Sequence, residues 1–526
     1  QQSYQLVPAL ISETSSVRVL GVAITYDELA VMGTAAVAAL GLWLLFYRTR
    51  AGVAMRAVVD DPELLALAGA SPARRAQSGW MLGSAFAAAG GVLLATTDSL
   101  SLNATTLTLA VLGAYAAAVI GRLRSVPLTF LGALVVGCAV SFSSADYLPQ
   151  GLQTDLKLTQ TVPMILLLVA LVFLPHGRLR TARQVPALRL PVASLKTSIV
   201  AGLGLFLVAI PVSGALSGGN VILAARGVTL AIVMLSLVPL TGYAGQISCA
   251  QLTFAGLGAF AMGKIAGGAS PLGLIAAVGA AAIVGALVAL PAIRLQGLYL
   301  ALATLAFGAG MDYAFFQLPN SAMNEGSFSV GRSALFGNDF GSDRSFLLLV
   351  VGVFALAAIG VLALRRSRFG RRLVALNDSP AACATVGISL TRTKLAVFAF
   401  SAGLAGLAGA LYGGVTGLVG TNDFQLLSSL TLLLLAMVWG IRSTCGVLLA
   451  GLSFVLLPEI PHVSNLTYLV TGLGAITISR NSDGALGEII IRLASFNDRR
   501  RPPSDPKLVS SGQMAPAGAK STVAGP

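Results

Sequence analysis

The stretch RSRFGRRLVALNDSPAACATVGISLTRTK occupies residues 366–394, and a related stretch, RTRAGVAMRAVVDDPELLALAGASPARRA, occupies residues 48–76. The two align without a gap at a constant separation of 318 residues, and the match continues to residues 94 and 412. A repeat of this period is far too long for a solenoid unit, so it indicates a tandem of two related domains. The shared positions include Arg48/Arg366, Gly52/Gly370, Asp60/Asp378, Pro62/Pro380, Gly69/Gly387, Ser71/Ser389 and Gly91/Gly409.

The composition places the rest of the chain in a membrane. Hydrophobic residues make up 56% of the sequence and charged residues only 10%, which leaves too little polar surface to face water on all sides. We therefore predict an all-α polytopic membrane protein with about fifteen transmembrane helices, since apolar runs of about 15–20 residues, long enough to cross a bilayer, recur along the chain. They lie at 29–46, 78–95, 107–120, 126–143, 161–174, 197–212, 221–240, 250–267, 272–291, 297–315, 346–364, 395–414, 426–440, 446–457 and 467–480.

The net charge of +14 is concentrated between these runs. Basic clusters at 48–75, 178–196, 365–394 and 492–501 can all be cytoplasmic with alternating spans, as the positive-inside rule requires. The same rule predicts cytoplasmic turns around Arg122 with Arg124 and around Arg442. The charge therefore predicts membrane orientation, and we do not expect nucleic acid as a partner.

The domain organisation follows from the repeat. We predict an incomplete first half with about five spans at 1–176, a basic cytoplasmic linker at 177–196, a second half with about ten spans at 197–490, and a basic, disordered cytoplasmic tail at 491–526. Spans related by the repeat run in the same direction, so the halves are parallel. The second half has roughly 120 residues before the position that matches residue 1, and we expect the sequence to be N-terminally incomplete.

Motifs for enzymatic chemistry are weak. The four cysteines and two histidines are scattered without the spacing of a metal site or a disulfide. The run ending in Lys520-Ser521 interrupts the Gly-Lys pair of a phosphate loop, and the glycines of 256–261 lie in an apolar run where they permit close helix packing. We expect no catalytic residues, no metal and no cofactor bound by this chain.

The duplicated loop itself predicts a short helix in each copy. Ser379 can cap a helix that begins at Pro380, and Asp61 and Pro62 occupy the same places in the first copy. About two turns later, Gly387 or Gly69 supplies a left-handed residue that ends the helix. Two loops with matching starts and stops indicate a partner that is itself two-fold.

Several segments together resemble the permeases of branched-chain amino-acid ABC importers. The resemblance covers nearly all of 197–490 as one permease subunit and 1–180 as the later part of its sister subunit. It is carried by RFGRRLVALNDSPAA (368–382), SAGLAGLAG (401–409), LTGYAGQIS (240–248), FAGLGAF (254–260) and RLQGLYLALATLAF (294–307). Where the family usually has Gly-Gly-Leu-Gly-Ser, this chain has GRLRS (121–125) and WGIRS (439–443), with an Arg in place of Gly in both copies.

The resemblance implies a bacterial plasma-membrane permease that imports branched-chain amino acids or similar small polar or amphipathic solutes by alternating access. It implies two cytoplasmic ATPase subunits, which bind ATP and Mg, and an extracytoplasmic solute-binding protein. Residues 62–69 and 380–387 would be the helices that couple to the ATPases. Glu63 matches the acidic position of the family's loop, and Ala381 replaces it in the second copy.

The substrate pathway is expected along the Gly-rich helices 242–263 and 297–308. Its candidate polar contacts are Gln246, Ser248, Gln251, Tyr299 and Thr304. The alternative is a secondary transporter or channel that needs no ATPase. Such proteins hold ionisable groups within the membrane, and Asp312 is almost the only candidate here.

Overall fold

The computed structural model describes residues 16–19, 22–97, 104–144, 157–173, 195–265, 270–292, 295, 297–317, 327–332 and 340–460, together with residues 472, 474, 484 and 487. The predicted linker and tail, and most of the predicted 467–480 span, lie outside these residues.

The first half begins with two antiparallel strands, β1 (Ser16–Val19) and β2 (Val22–Thr25), in which Ser16 lies opposite Thr25. Thr25 caps the first helix and forms a reciprocal capping box with Glu28. The helices of this half are α1 (Tyr26–Arg48), α2 (Arg50–Asp60), α3 (Pro62–Leu67), α4 (Pro72–Thr97), α5 (Ala104–Ile120), α6 (Val126–Ser144) and α7 (Leu158–Phe173).

The second half is also helical, and three of its helices end in or lead into wider π-helical turns, at Val238–Tyr243, Ala261–Ile265 and Asp312–Phe316. Two short strands, β3 (Phe328–Ser329) and β4 (Leu418–Val419), pair antiparallel, and a 3-10 turn covers Thr421–Phe424. The helices are α8 (Leu195–Ala215), α9 (Gly218–Leu237), α10 (Gln251–Phe260), α11 (Pro271–Ala292), α12 (Leu298–Met311), α13 (Asp343–Arg366), α14 (Arg368–Asp378), α15 (Pro380–Thr385), α16 (Leu390–Thr416), α17 (Leu426–Trp439) and α18 (Thr444–Leu456).

This architecture confirms an all-α polytopic membrane protein. Within the described ranges, nine helical segments are long and apolar enough to cross a membrane, and three shorter apolar helices accompany them. Each of the first fourteen predicted runs overlaps a helix. One prediction is wrong in detail: residues 242–263 are not one helix, because the chain leaves the helical path after Tyr243 and resumes it at Gln251. Gly245 permits the break, since its φ of +66° is in the left-handed region.

Backbone-to-backbone contact builds the core of the second half. A Cβ on Gly409 of α16 would lie 1.8 Å from the Ala255 carbonyl oxygen of α10. A Cβ on Gly258 of α10 would likewise lie 2.1 Å from the Gly406 carbonyl oxygen. Only glycine allows two helices to approach this closely, which is the usual way that membrane helices associate tightly.

The two halves meet where α7 packs against α12. At one end of this contact, Lys157 Nζ donates a 2.6 Å hydrogen bond to Gln317 Oε1. At the other, the Tyr299 hydroxyl reaches the Arg122 carbonyl oxygen. Polar contacts near both ends of the interface therefore fix α12 against the first half.

Candidate functional site

The two copies of the repeat form two elbows, which we define as α2 with α3 (residues 50–69) and α14 with α15 (residues 368–387). The boundaries of the four helices agree residue for residue at the separation of 318. The helices that follow, α4 and α16, also start at matching positions, Pro72 and Leu390. Two segments of different sequence thus adopt one local structure.

The entry to each elbow is a tight corner. The hydroxyl of Thr49 accepts from the Gly52 amide at 3.1 Å, and Ser367 does the same for Gly370 at 3.1 Å. A Cβ on either glycine would lie 2.1 Å from a carbonyl oxygen of the preceding helix, that of Leu45 or Leu364. The corner therefore requires a hydroxyl cap and a glycine three residues later.

The short helices α3 and α15 begin and end as the sequence predicts. Asp61 Oδ1 accepts from the amides of Glu63 and Leu64, both at 3.0 Å. Its counterpart Ser379 accepts from the Ala382 amide at 3.3 Å. In both copies a proline, Pro62 or Pro380, occupies the first turn, where its missing N–H costs nothing.

Both short helices end in the same glycine turn. Gly69 has φ of +82° and Gly387 of +79°. The next amide, of Ala70 or Ile388, donates back to the carbonyl five residues earlier at 3.3 or 3.0 Å, which closes the turn. The capping and stop residues are therefore structural, and they leave the outer faces of α3 and α15 free for other contacts.

Apolar side chains lie on those faces. Leu64 is 63% exposed, Leu67 85% and Val386 79%. Glu63 and Ala381, next to the prolines, are also exposed. Large exposed apolar side chains on a short helix outside the membrane spans are a recurrent feature of protein-contact surfaces.

The second candidate region is the break between the π-helical turn and α10. Thr304 Oγ1 accepts from the Cys249 amide at 3.0 Å, and Ser429 Oγ donates to the Cys249 carbonyl at 2.8 Å. Gln251, the first residue of α10, donates through Nε2 to Ser401 Oγ at 2.9 Å. Side chains from two other helices thus replace backbone bonds lost at the break, as irregular backbone within a membrane protein requires.

Some polar atoms at this break have no partner. They are both amide atoms of Gln246, the hydroxyl of Ser248 and Oε1 of Gln251. These three residues are at most 4% exposed. Since buried polar groups are nearly always paired, the break is a place where a solvent molecule or a polar ligand would be stabilised.

The predicted pathway residues therefore fall into two groups. Gln246, Ser248, Gln251 and Thr304 come together at the break. Tyr299 lies apart from them, at the boundary with the first half, where its hydroxyl is 3.5 Å from the Arg122 carbonyl oxygen.

Among the described residues, three charged side chains lie within the predicted spans: Asp312, Arg226 and, near the end of the run 250–267, Lys264, which is exposed. Asp312 is 8% exposed, and its Oδ1 accepts from Gln317 Nε2 at 3.1 Å. Arg226 of α9 was missed, although it interrupts the apolar run 221–240 in the sequence. It donates to the Tyr412 hydroxyl at 3.0 Å, and that hydroxyl donates to Asp423 Oδ1 at 3.0 Å.

The arginines that replace glycine lie in turns between helices, as predicted. Arg122 and Arg124 lie between α5 and α6, and Arg442 lies between α17 and α18. Arg442 Nε donates to the Gly242 carbonyl at 3.3 Å, so it fixes the second-half turn onto the start of the helix break. Within the described ranges, no three His, Cys, Asp or Glu residues are grouped to hold a metal ion.

The comparisons with known proteins agree with this architecture. Residues 6–171 and 220–476 match the model of the family described as branched-chain amino acid transport system / permease component. The high-affinity branched-chain amino acid transport system permease protein LivM of Salmonella typhimurium is 31% identical over 277 residues, and its Escherichia coli K12 counterpart is 30% identical over 277 residues. Each alignment covers 47% of this chain and 62% of the relative.

A second type of relative also matches. The probable branched-chain amino acid transport permease protein LivH of Methanocaldococcus jannaschii is 27% identical over 139 residues, which are 26% of this chain and 43% of that protein. The chain thus spans less than two thirds of the length of each of these relatives. No solved structure matches. Because two separate parts of the sequence match one family model, the chain is a multi-pass membrane protein that belongs to the permease components of branched-chain amino acid transport systems, as a tandem of two permease units.

Proposed function

We propose that this chain is the membrane-spanning component of an ATP-driven importer for branched-chain amino acids or similar small solutes. Two separate cytoplasmic ATPase subunits bind ATP and Mg and supply the energy. An extracytoplasmic binding protein delivers the solute, which crosses by alternating access between the two halves.

The observation that carries this proposal is the structural identity of the two elbows. They share helix boundaries, the corner glycine and the glycine stop. The two elbows are equivalent, so each can bind one of two equivalent ATPase subunits. This is the arrangement expected of an assembly with two-fold symmetry. In this proposal, α3 and α15 dock on the ATPases, and Leu64, Leu67 and Val386 provide apolar contact.

The substrate pathway runs beside the break before α10. A helix that begins within the membrane directs the positive end of its dipole at the break, and such termini suit the carboxylate of an amino acid. The unpartnered amide and hydroxyl groups of Gln246, Ser248 and Gln251 add neutral donors and acceptors. Tyr299 lines the pathway at the boundary between the halves, where separation of α7 from α12 would open it.

Transport by the complete complex in vesicles tests this proposal. Gly387→Ala and Gly387→Arg change a residue with φ of +79°. The matched control is Gly360→Ala, since a Cβ there meets no atom within 4 Å. We expect the Gly387 variants to lose ATP-dependent leucine uptake while the control retains it. Binding of each variant to the ATPase subunits shows whether docking is the lost step.

Two results would overturn the proposal. Uptake by the Gly387 variants equal to that of the control would exclude the elbow as the coupling element. Uptake without ATP that follows an ion gradient would instead favour the secondary transporter, for which Asp312 is the first residue to substitute.

A further inference from the structure

A chain of polar side chains joins the two halves at the end of α12. Lys157 directly precedes α7 in the first half, and its Nζ donates to Gln317 Oε1 at 2.6 Å. The Nε2 of the same amide donates to Asp312 Oδ1 at 3.1 Å. A cation and an anion from different halves therefore face the two ends of one neutral amide.

The π-helical turn Asp312–Phe316 makes this arrangement possible. The Gln317 backbone amide donates to the Asp312 carbonyl at 3.2 Å, so residues five apart lie on one face of the helix. In a regular α-helix, residue 316 would donate to residue 312 instead. Single π-helical turns are frequent at functional sites, and this one brings Gln317 and Asp312 together.

The two charges are bridged and do not pair directly. Among the described residues, Arg332 and Asp343 form a direct ion pair, but Lys157 and Asp312 do not. Asp312 is 8% exposed, and a carboxylate within a membrane span is costly to bury, which makes it a candidate functional group. Lys157 is exposed, and its ammonium group has three N–H donors. Each charge therefore retains capacity for a stronger partner than the amide.

The bridging amide has the same polarity as the main-chain groups of a free α-amino acid. Only its oxygen can accept from Lys157, and only its nitrogen can donate to Asp312, so the contacts fix its orientation. A zwitterionic α-amino acid carries an accepting carboxylate and a donating ammonium group on one carbon. Lys157 and Asp312 would bind those groups through charge-assisted hydrogen bonds, which are roughly twice as strong as neutral ones.

This cluster lies close to the helix break before α10. The Leu426 amide, in the first turn of α17, also bonds to the Asp312 carboxylate. Ser429, three residues farther along α17, donates to the Cys249 carbonyl at the break. Lys157 and Gln317 adjoin the predicted extracytoplasmic loops 144–160 and 319–345. A solute that enters from that side would meet the cluster before it reaches the break.

We propose that Lys157 and Asp312 form an entry site for a zwitterionic α-amino acid. Lys157 binds the carboxylate, Asp312 binds the ammonium group, and Gln317 is a placeholder that the solute displaces. The site rests on the proposed function and narrows its substrate class. Urea, simple amides and carboxylates without an amine each lack at least one of the two charges.

The contrasting interpretation is a purely structural latch, in which Gln317 only ties the halves together. The two interpretations differ in the role of Gln317. In a latch, removal of Gln317 breaks the bridge as completely as removal of Lys157, so both changes act in the same direction. In an entry site, Gln317 competes with the solute, so its removal leaves both charges available.

Leucine binding separates these interpretations. Radiolabelled leucine is titrated onto the complete permease and ATPase complex in lipid nanodiscs, without the binding protein. We expect Lys157→Gln and Asp312→Asn each to raise the leucine dissociation constant by roughly tenfold or more, because each removes a charge-assisted hydrogen bond. Gln317→Ala removes a competitor and should lower that constant.

Lys264→Gln is the matched control. Lys264 is exposed and lies near the end of a run that leads to the same predicted membrane face, so its neutralisation should not change leucine binding. Co-elution with the ATPase subunits checks that every variant is folded.

Two leucine analogues test which groups of the solute are recognised. Isocaproate lacks the ammonium group, and leucinamide lacks the carboxylate. Both should compete with radiolabelled leucine roughly tenfold more weakly than unlabelled leucine does. In Asp312→Asn, the advantage of leucine over isocaproate should disappear.

Three results would each overturn the entry site: no leucine binding to the unsubstituted complex, equal competition by leucine and both analogues, or weaker leucine binding in Gln317→Ala. The proposed function is judged separately, by ATP-dependent leucine uptake with the binding protein present. Uptake by the unsubstituted complex together with any of the three results would reject the entry site alone. Absence of that uptake would count against the proposed function itself.

Discussion

The Tyr299 hydroxyl of the second half donates a hydrogen bond of 3.5 Å to the Arg122 carbonyl oxygen of the first half. This distance is at the long end for a hydrogen bond. It joins the first turn of α12 to the turn between α5 and α6. In the alternating access that we propose, this contact would break and re-form as the halves move.

Removing this hydroxyl should loosen the boundary between the halves. We expect Tyr299→Phe to shift the equilibrium between open and closed arrangements by about 1 kcal/mol or less, since a single neutral hydrogen bond contributes about that much. Disulfide trapping between cysteines at 123 and 298 measures the closed population. Tyr115→Phe is the control within the first half, and an equal change in both variants would contradict the assignment.

The turn that holds this contact is strained. Arg122 and Leu123 both have φ of +54°, a region that non-glycine residues occupy at a cost of roughly 1–2 kcal/mol each. Because the Arg122 side chain is exposed, Arg122→Gly should raise the free energy of unfolding by about 1 kcal/mol.

Arg124→Gly is the control for that substitution, because the φ of Arg124 is not positive. It should leave the protein unchanged or slightly less stable. Thermal unfolding in detergent measures both variants, and stabilisation by Arg124→Gly but not by Arg122→Gly would show that the turn is not strained as described.

The corner of each elbow should not accept a methyl group. We expect Gly370→Ala to destabilise the protein by about 1–3 kcal/mol, because the added Cβ would have to displace the backbone of α13. Its ideal position is 2.1 Å from the Leu364 carbonyl oxygen. Gly360→Ala, at an open site in the preceding helix α13, should be neutral or stabilising in the same unfolding assay. Equal stability of the two variants would mean that the corner can relax.

The cap of α3 can be tested separately from its charge. Asp61→Ala removes the oxygen that accepts from Glu63 and Leu64 and should destabilise the short helix by about 1 kcal/mol. Asp61→Asn keeps an accepting oxygen and should retain most of the stability. Protease cleavage within residues 61–70 reports the fraying. If both variants are cleaved at the same rate, the charge rather than the cap stabilises the helix.

The elbows could be predicted from the sequence because their structure depends on local rules. Caps, N-terminal prolines and glycine stops act within a few residues. Both copies of the repeat carry them at matching positions, so each copy supports the prediction made for the other. Asp61 and Ser379 therefore took their places as expected. The strained turn at Arg122 was not foreseen, because a positive φ at a residue other than glycine is imposed by its tertiary surroundings.

The helix break was harder to predict for a similar reason. Residues 242–263 contain no charged residue and no proline, and the break depends on hydroxyl groups from distant helices, Thr304 and Ser429, that satisfy the interrupted backbone. Such pairings are not visible in one sequence. Arg226 is a different case from the break. A charged residue inside the apolar run 221–240 is visible in the sequence and is typical of a functional site within the membrane.

Helix α16 has a mechanical consequence that follows from its length and its glycines. It runs without interruption for 27 residues, about 40 Å at 1.5 Å per residue. It begins three residues after Gly387 and ends beside β4, where the Gly414 carbonyl accepts from Arg332. The backbone of α10 packs directly against it at Gly406 and Gly409, so a displacement of α16 would displace α10 as well. A movement of one end of α16 would therefore move its other end, at the opposite membrane face, and the broken helix α10 at the same time.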